Sequence, residues 1–105
     1  MADKTLGATW QVFRFTLRDT ASEYAKAHVH RIASFPLEPV EPGHVAAVVN
    51  AVLAELDRGS AADEASPVLR AKQNLFRPTR EQKYRRRLQK AFGAYTRAWK
   101  VRAQA

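Results

Sequence analysis

The sequence has no cysteine, no long apolar run and, in its last two-fifths, almost no acid. The first absence excludes a disulfide framework and any cysteine-ligated zinc or iron–sulfur site. The second excludes a bilayer span, which needs roughly 20 apolar residues; the longest run here, Val45 to Val49, stops at Asn50. The start of the chain also lacks the charged-then-apolar order of a secretory signal. Asp3, Asp19 and Glu23 are out of place in an acid-poor transit peptide, so no cleavable address is expected. The shortage of acid is local. Residues 65–105 hold 12 Lys and Arg against one acid, a net +11, whereas residues 1–64 hold 6 against 9, a net −3. Such a segregated field attracts nucleic acid, an anionic membrane surface or an acidic protein without choosing among them.

Glycine is scarce as well, four in 105 residues, and neither glycine nor proline occurs between Ala8 and Phe35. Along that stretch Trp10, Phe13, Leu17, Ala21, Tyr24, His28, Ile32 and Phe35 recur at intervals of three or four, the spacing of one helix face. It ends at Phe35-Pro36, because proline disfavours helical geometry in the residue before it. Unbroken, the helix would reach about 40 Å, long for a chain of this size, so the spacing also admits two helices meeting near Thr20 to Ser22.

Three prolines and a glycine between Pro36 and Gly43 predict a stiff connector at which the chain reverses. Val45, Val48, Val49, Val52, Leu53 and Leu56 form the apolar face of a further helix, expected to close at Arg58-Gly59 with glycine at the C′ position. Gly59 to Ala65 reads as a surface loop. Ser66-Pro67 reads as an N-cap followed by proline at the first helical position, opening a short helix that buries Val68, Leu69, Leu75 and Phe76. Thr79-Arg80-Glu81-Gln82 matches a capping box and starts the last helix. That helix carries Tyr84, Leu88, Phe92, Tyr95 and Trp99 on one stripe. Arg80, Lys83, Arg85, Arg86, Arg87, Lys90, Arg97, Lys100 and Arg102 are spread around the rest. The expected fold is all-α: a small three- to four-helix bundle in which residues 1–65 are a docking module. Residues 66–105 would be a basic extension packed on that module or on a partner.

No catalytic constellation is visible. Asp19 and Glu23 stand at i, i+4 without a histidine pattern, and His28 and His30, two apart, point in different directions on a regular helix. No catalytic residue, metal site or directly bound cofactor is expected, and the chain reads as a binding protein. In the basic helix the cations suit nucleic-acid phosphates and the aromatics suit unpaired bases. The aromatics share the apolar stripe, however, which leaves only cations for that use. A basic amphipathic helix also fits a membrane surface or an acidic groove.

The first stretch resembles the Leu-Tyr-Arg (LYR) motif family of small helical mitochondrial proteins. Val12-Phe13-Arg14 stands where that family has Leu-Tyr-Arg, and Leu17-Arg18-Asp19 matches its frequent Leu-Arg-acidic run. Tyr24, Val29, Arg31, Ile32 and Phe35 resemble its second helix, and Val45 to Leu56 its third, so the resemblance covers about residues 10–58. It implies a non-enzymatic accessory subunit or assembly factor of a mitochondrial, respiratory or related complex, on the matrix side. Such a protein binds acyl carrier protein and takes the acyl-phosphopantetheine arm between its helices. Phe13, Arg14, Arg18, Arg31 and Phe35 would then touch the partner. Arg14 and Arg18, four apart, share a face that suits carboxylates or a phosphate, and the apolar stripe beside them would line a slot for an alkyl chain. Two alternatives stand beside this reading. In one, Arg14 and Arg18 are a solvated edge paired with Asp19 or Glu23 of the same helix. In the other, the chain is a cytoplasmic nucleic-acid-binding or ribosome-associated protein whose primary surface is Arg80, Lys83, Arg85, Arg86, Arg87 and Lys90, with RNA as a partner.

Overall fold

The computed structural model describes the backbone of residues 2–64 and 79–104 and the side chains of 5–59 and 79–104. Within these residues the chain is an all-α bundle of four helices: α1 (Ala2–Tyr24), α2 (Val29–Ala33), α3 (Ala46–Glu64) and α4 (Arg80–Gln104). The helix expected from Ser66 to Phe76 lies outside the described residues.

α1 forms because its apolar residues keep helical register over its whole length. The stripe begins a turn and more before Trp10, so that Leu6, Trp10, Phe13, Leu17 and Ala21 are all buried. Thr16 and Thr20 fall on the same buried face, where an unpaired hydroxyl would be costly. Each donates to the carbonyl four residues back, Val12 O and Thr16 O, at 2.7 Å.

The stripe continues in sequence to Phe35, but the helix does not. Ala25 leaves helical geometry at φ −145° and ψ 54°. A single 3-10 turn over Lys26–His28 then leads into α2. The break comes after Tyr24, not near Thr20 to Ser22. α4 runs antiparallel to α1, pairing Tyr95 with Trp10 and Phe13, Phe92 with Phe13, Arg87 with Asp19 and Arg80 with Glu23. Tyr24 meets Tyr84 edge-on at 5.1 Å, level with the start of α4. Past that level α1 would have no described helix to lie on. Turning back instead buries Ile32 against the core.

The segment after α2 returns along α1 to the level of Trp10, and two ring donors hold it there. The Trp10 indole N–H donates to the Pro36 carbonyl at 3.2 Å. The Tyr95 hydroxyl donates to the Val40 carbonyl. A 3-10 turn, Pro42–His44, leads through the buried Val45 into α3, whose Val48, Val49, Val52 and Leu56 complete the core. α3 therefore lies parallel to α1 and antiparallel to α4, and Asp57 meets Arg85 near its far end.

Gly59 does not end α3, which continues to Glu64. Its φ is not positive, as the C′ reading required. Mid-helix glycine costs roughly 1 kcal/mol, tolerable in a helix whose next residues include Ala61, Ala62 and Glu64. A methyl group at Gly59 would stand 3.7 Å from Cγ of Glu81, so α4 crosses close at this point. The proposed loop from Gly59 to Ala65 is accordingly helical through Glu64.

α4 begins where the capping box places it. The Gln82 amide donates to Thr79 Oγ1 at 3.1 Å, and the Thr79 amide donates to Gln82 Oε1 at 2.9 Å. Leu88, Ala91 and Tyr95 then run into the core. Residues 80–104 are thus packed on the module as a wall of the bundle.

Candidate functional site

Rotating α1 away from its core face brings Arg14, Arg18, Gln11 and Phe15 round to the surface. With Ile32 and Ala33 of α2 they line a shallow pocket of about 190 Å³. Arg14 is half-buried and its Nη1 donates to Gln11 Oε1 at 3.2 Å. Its Nε–H is shielded from solvent and has no hydrogen-bond acceptor among the described residues. Arg18 is exposed beside it. Asp19 and Glu23 do not neutralise this edge, because they face α4 and meet Arg87 at 3.5 Å and Arg80 at 3.8 Å. The pairing within α1 that a solvated edge would show is therefore absent among the described contacts of these four residues.

Two apolar side chains sit exposed in this part of α1, Phe15 at 69% and Val12 at 58%. Sequence reasoning left Phe15 out of the candidate residues. It lies two positions past Phe13 and off the 10, 13, 17, 21 series, and an aromatic displaced from the stripe was the signal available.

The other residues expected to meet a partner separate. Phe13 is fully buried, stacked on Tyr95 with centroids 5.6 Å apart and tilted against Phe92 at 5.2 Å. It is a core residue with no surface to offer, since the face that carries it is the one α4 covers. Arg31 is exposed on α2 but does not line the Arg14–Arg18 pocket. Phe35 is half-buried, stacked at 6.3 Å on Trp10. It belongs to a different opening, a largely apolar pocket of about 590 Å³ lined by Pro36, Val40, Val45 and Trp99, with Glu41 and His44 among the lining residues. The alkyl slot expected beside Arg14 and Arg18 is filled by the bundle's own packing, because Trp10, Phe13 and Leu17 leave no space against α4. The apolar cavity lies instead between the returning segment and the end of α4.

The basic helix also divides in two. Arg80, Arg85 and Arg87 turn back toward the acids of α1 and α3, Glu23, Asp57 and Asp19. Arg87 also lies over the Tyr84 ring at 5.5 Å. Lys83, Arg86 and Lys90 point to solvent and have no ion-pair partner among the described residues. Of the α4 aromatics Tyr95 is fully buried, and Tyr84, Phe92 and Trp99 are half-buried against their neighbours. Burial pushes the Tyr95 hydroxyl up to about 12, against the opposing pull of its Val40 hydrogen bond and Arg102. Burial, followed by nearby Glu81, raises Tyr24 as well.

Among the described residues no three His, Asp or Glu side chains are grouped to hold a metal ion, and no helix is long and apolar enough to cross a membrane. The class this geometry defines is a small all-α bundle with charged outer faces. No family model, curated protein or solved structure matches the chain.

Proposed function

We propose that this protein is a non-catalytic docking protein that receives an acidic partner on the edge formed by Arg14 and Arg18. The carrying observation is the pairing of two guanidinium groups, one helical turn apart and without an ion-pair partner among the described residues, with the exposed ring of Phe15. Interfaces draw affinity from an aromatic or arginine anchor set among polar contacts, and this edge holds both kinds. The shielded Nε–H of Arg14 adds to the argument. Rotating that guanidinium onto a carboxylate or phosphate would replace an unmet donor with a charge-assisted hydrogen bond.

The resemblance of residues 10–58 to the LYR-motif proteins names the partner class. On that reading it is acyl carrier protein, in a mitochondrial accessory subunit or assembly factor. Carrier-protein helices are acidic and would meet Arg14 and Arg18. An acyl chain would enter by the apolar pocket at Phe35 and Trp99, because the core stripe itself is closed.

Binding of purified acyl carrier protein, acylated and unacylated, measured by calorimetry on the folded protein, tests this reading. Micromolar or tighter binding is expected. Arg14→Glu with Arg18→Glu should weaken it at least tenfold, and Phe15→Ala by several-fold, with helical circular dichroism unchanged. Failure to bind either form of the carrier at low salt would sink the proposal.

A further inference from the structure

The solvent side of α4 carries a second charged surface that the Arg14–Arg18 edge does not use. Lys83, Arg86, Lys90, Arg97 and Lys100 follow one another at three, four, seven and three residues, the spacing of one helix face, and all five are exposed. The longest interval is at Gly93, which completes the helical series. There the Arg97 guanidinium lies back along the helix, its Nη1 3.4 Å from where a methyl group on Gly93 would stand. The row is therefore continuous for about 25 Å. No acid occurs in the helix after Glu81, and none of the five cations has an ion-pair or hydrogen-bond partner among the described residues.

We infer that this row binds the phosphate backbone of a nucleic-acid duplex without regard to sequence. Three observations select that partner. Membrane binding by a basic helix needs an apolar face to insert beside the cations. The apolar face of α4 is spent on the core, through Leu88, Ala91 and Tyr95, and Val101 alone of its large apolar residues is well exposed. A protein interface centres on an apolar core inside its charged rim, and beside this row the one exposed large apolar residue of α4 is Val101, at its far end. A single strand is held largely by stacking its bases on aromatics, yet no aromatic of α4 is exposed: Tyr95 is buried, and Tyr84, Phe92 and Trp99 are half-buried. What remains is a straight, rigid line of point charges, and its complement is an equally regular line of phosphates. About 25 Å of duplex carries roughly 15 phosphates over its two strands, and those on the near side meet the row.

The test uses the full chain and mixed-sequence 20-base-pair duplexes, with fluorescence anisotropy read across a salt series. Binding at 50 mM salt is expected to be alike for two unrelated sequences. With up to five phosphates neutralised, log K should fall against log salt with a slope of about −3 to −4.5. Arg86→Gln with Lys90→Gln should reduce that slope by about two, and Arg86→Glu with Lys90→Glu should weaken binding at 50 mM salt more than tenfold. Lys26→Glu with Arg58→Glu, the same charge change placed off the row, should cost less than threefold. Circular dichroism on each variant reports that the helices persist. Absence of duplex binding at 50 mM salt would overturn the inference, as would an unchanged slope in the glutamine variant. Tighter binding to the matching single strand, or to anionic phosphatidylserine vesicles or polyglutamate, would overturn it as well.

Discussion

Tyr95 does three jobs at one position, and each follows from its place opposite Trp10. Its ring stacks on Phe13 and lies 4.9 Å from Trp10, and its hydroxyl holds the Val40 carbonyl of the returning segment. Tyr95→Phe keeps the ring but leaves the Val40 carbonyl without its donor, so urea unfolding should show a loss of about 1–2 kcal/mol. The hydroxyl also links stability to pH. Its folded pKa, about 12, is above the ordinary value of 10, so the protonated form is favoured by folding. That contribution is complete below pH 10 and is lost as pH rises toward 12, because the unfolded chain gives up its proton first. Stability should therefore fall between pH 10 and 12 by thermal denaturation. The fall should be shallower in Tyr95→Phe, with a remainder from Tyr24, whose pKa is raised in the same direction.

At the scale of the element, α1 and α4 show how local chemistry and packing divide the work. The reciprocal Thr79 and Gln82 bonds satisfy two N-terminal amides, so Thr79→Ala should cost about 1 kcal/mol. Gly7 tests the opposite effect. It is mid-helix, and among the described residues nothing lies within 4 Å of a would-be methyl group. Gly7→Ala should therefore add about 0.5–1 kcal/mol, read as a rise of a few degrees in melting temperature. The capping box was legible in the sequence because its signal is carried by two side chains three residues apart. The end of α1 was not: nothing in Tyr24-Ala25-Lys26 breaks a helix, and the turn there goes with the packing of Ile32 on the core. Gly59 misled for the converse reason, since a glycine that would end an isolated helix is tolerated where α4 lies against it.

For the whole molecule, magnitudes decide which contacts hold the bundle together. The links from α4 to Asp19, Glu23 and Asp57 are exposed ion pairs, worth about 0–1 kcal/mol each. Trp10 ties α1, α4 and the returning segment at once, through Tyr95, Phe35 and the Pro36 carbonyl. Trp10→Ala should cost about 3–5 kcal/mol. Asp19→Asn, Glu23→Gln and Asp57→Asn combined should cost less than that in the same urea titration. The ion pairs have a different consequence. By holding Arg80, Arg85 and Arg87 they leave a smaller, outward-facing set of cations to meet a partner.

The sequence by itself determined that the chain is helical, where α4 starts, that α3 has a valine-rich face and that positive charge collects late in the chain. The first three rest on neighbours three or four residues apart, whose interaction follows from helix geometry alone, and the last is a matter of composition. The tertiary structure decided which of the candidate residues reach the surface. Phe13 and Tyr95 are both aromatics on helical stripes and carry no mark of their fate, but they bury each other because α4 folds back over α1. Arg14 and Arg87 are both arginines on amphipathic helices. One lines a pocket edge beside Arg18 and the other is drawn to Asp19, 68 residues away in the chain. Long-range pairing of this kind depends on how helices are arranged in space, a property that no local spacing encodes.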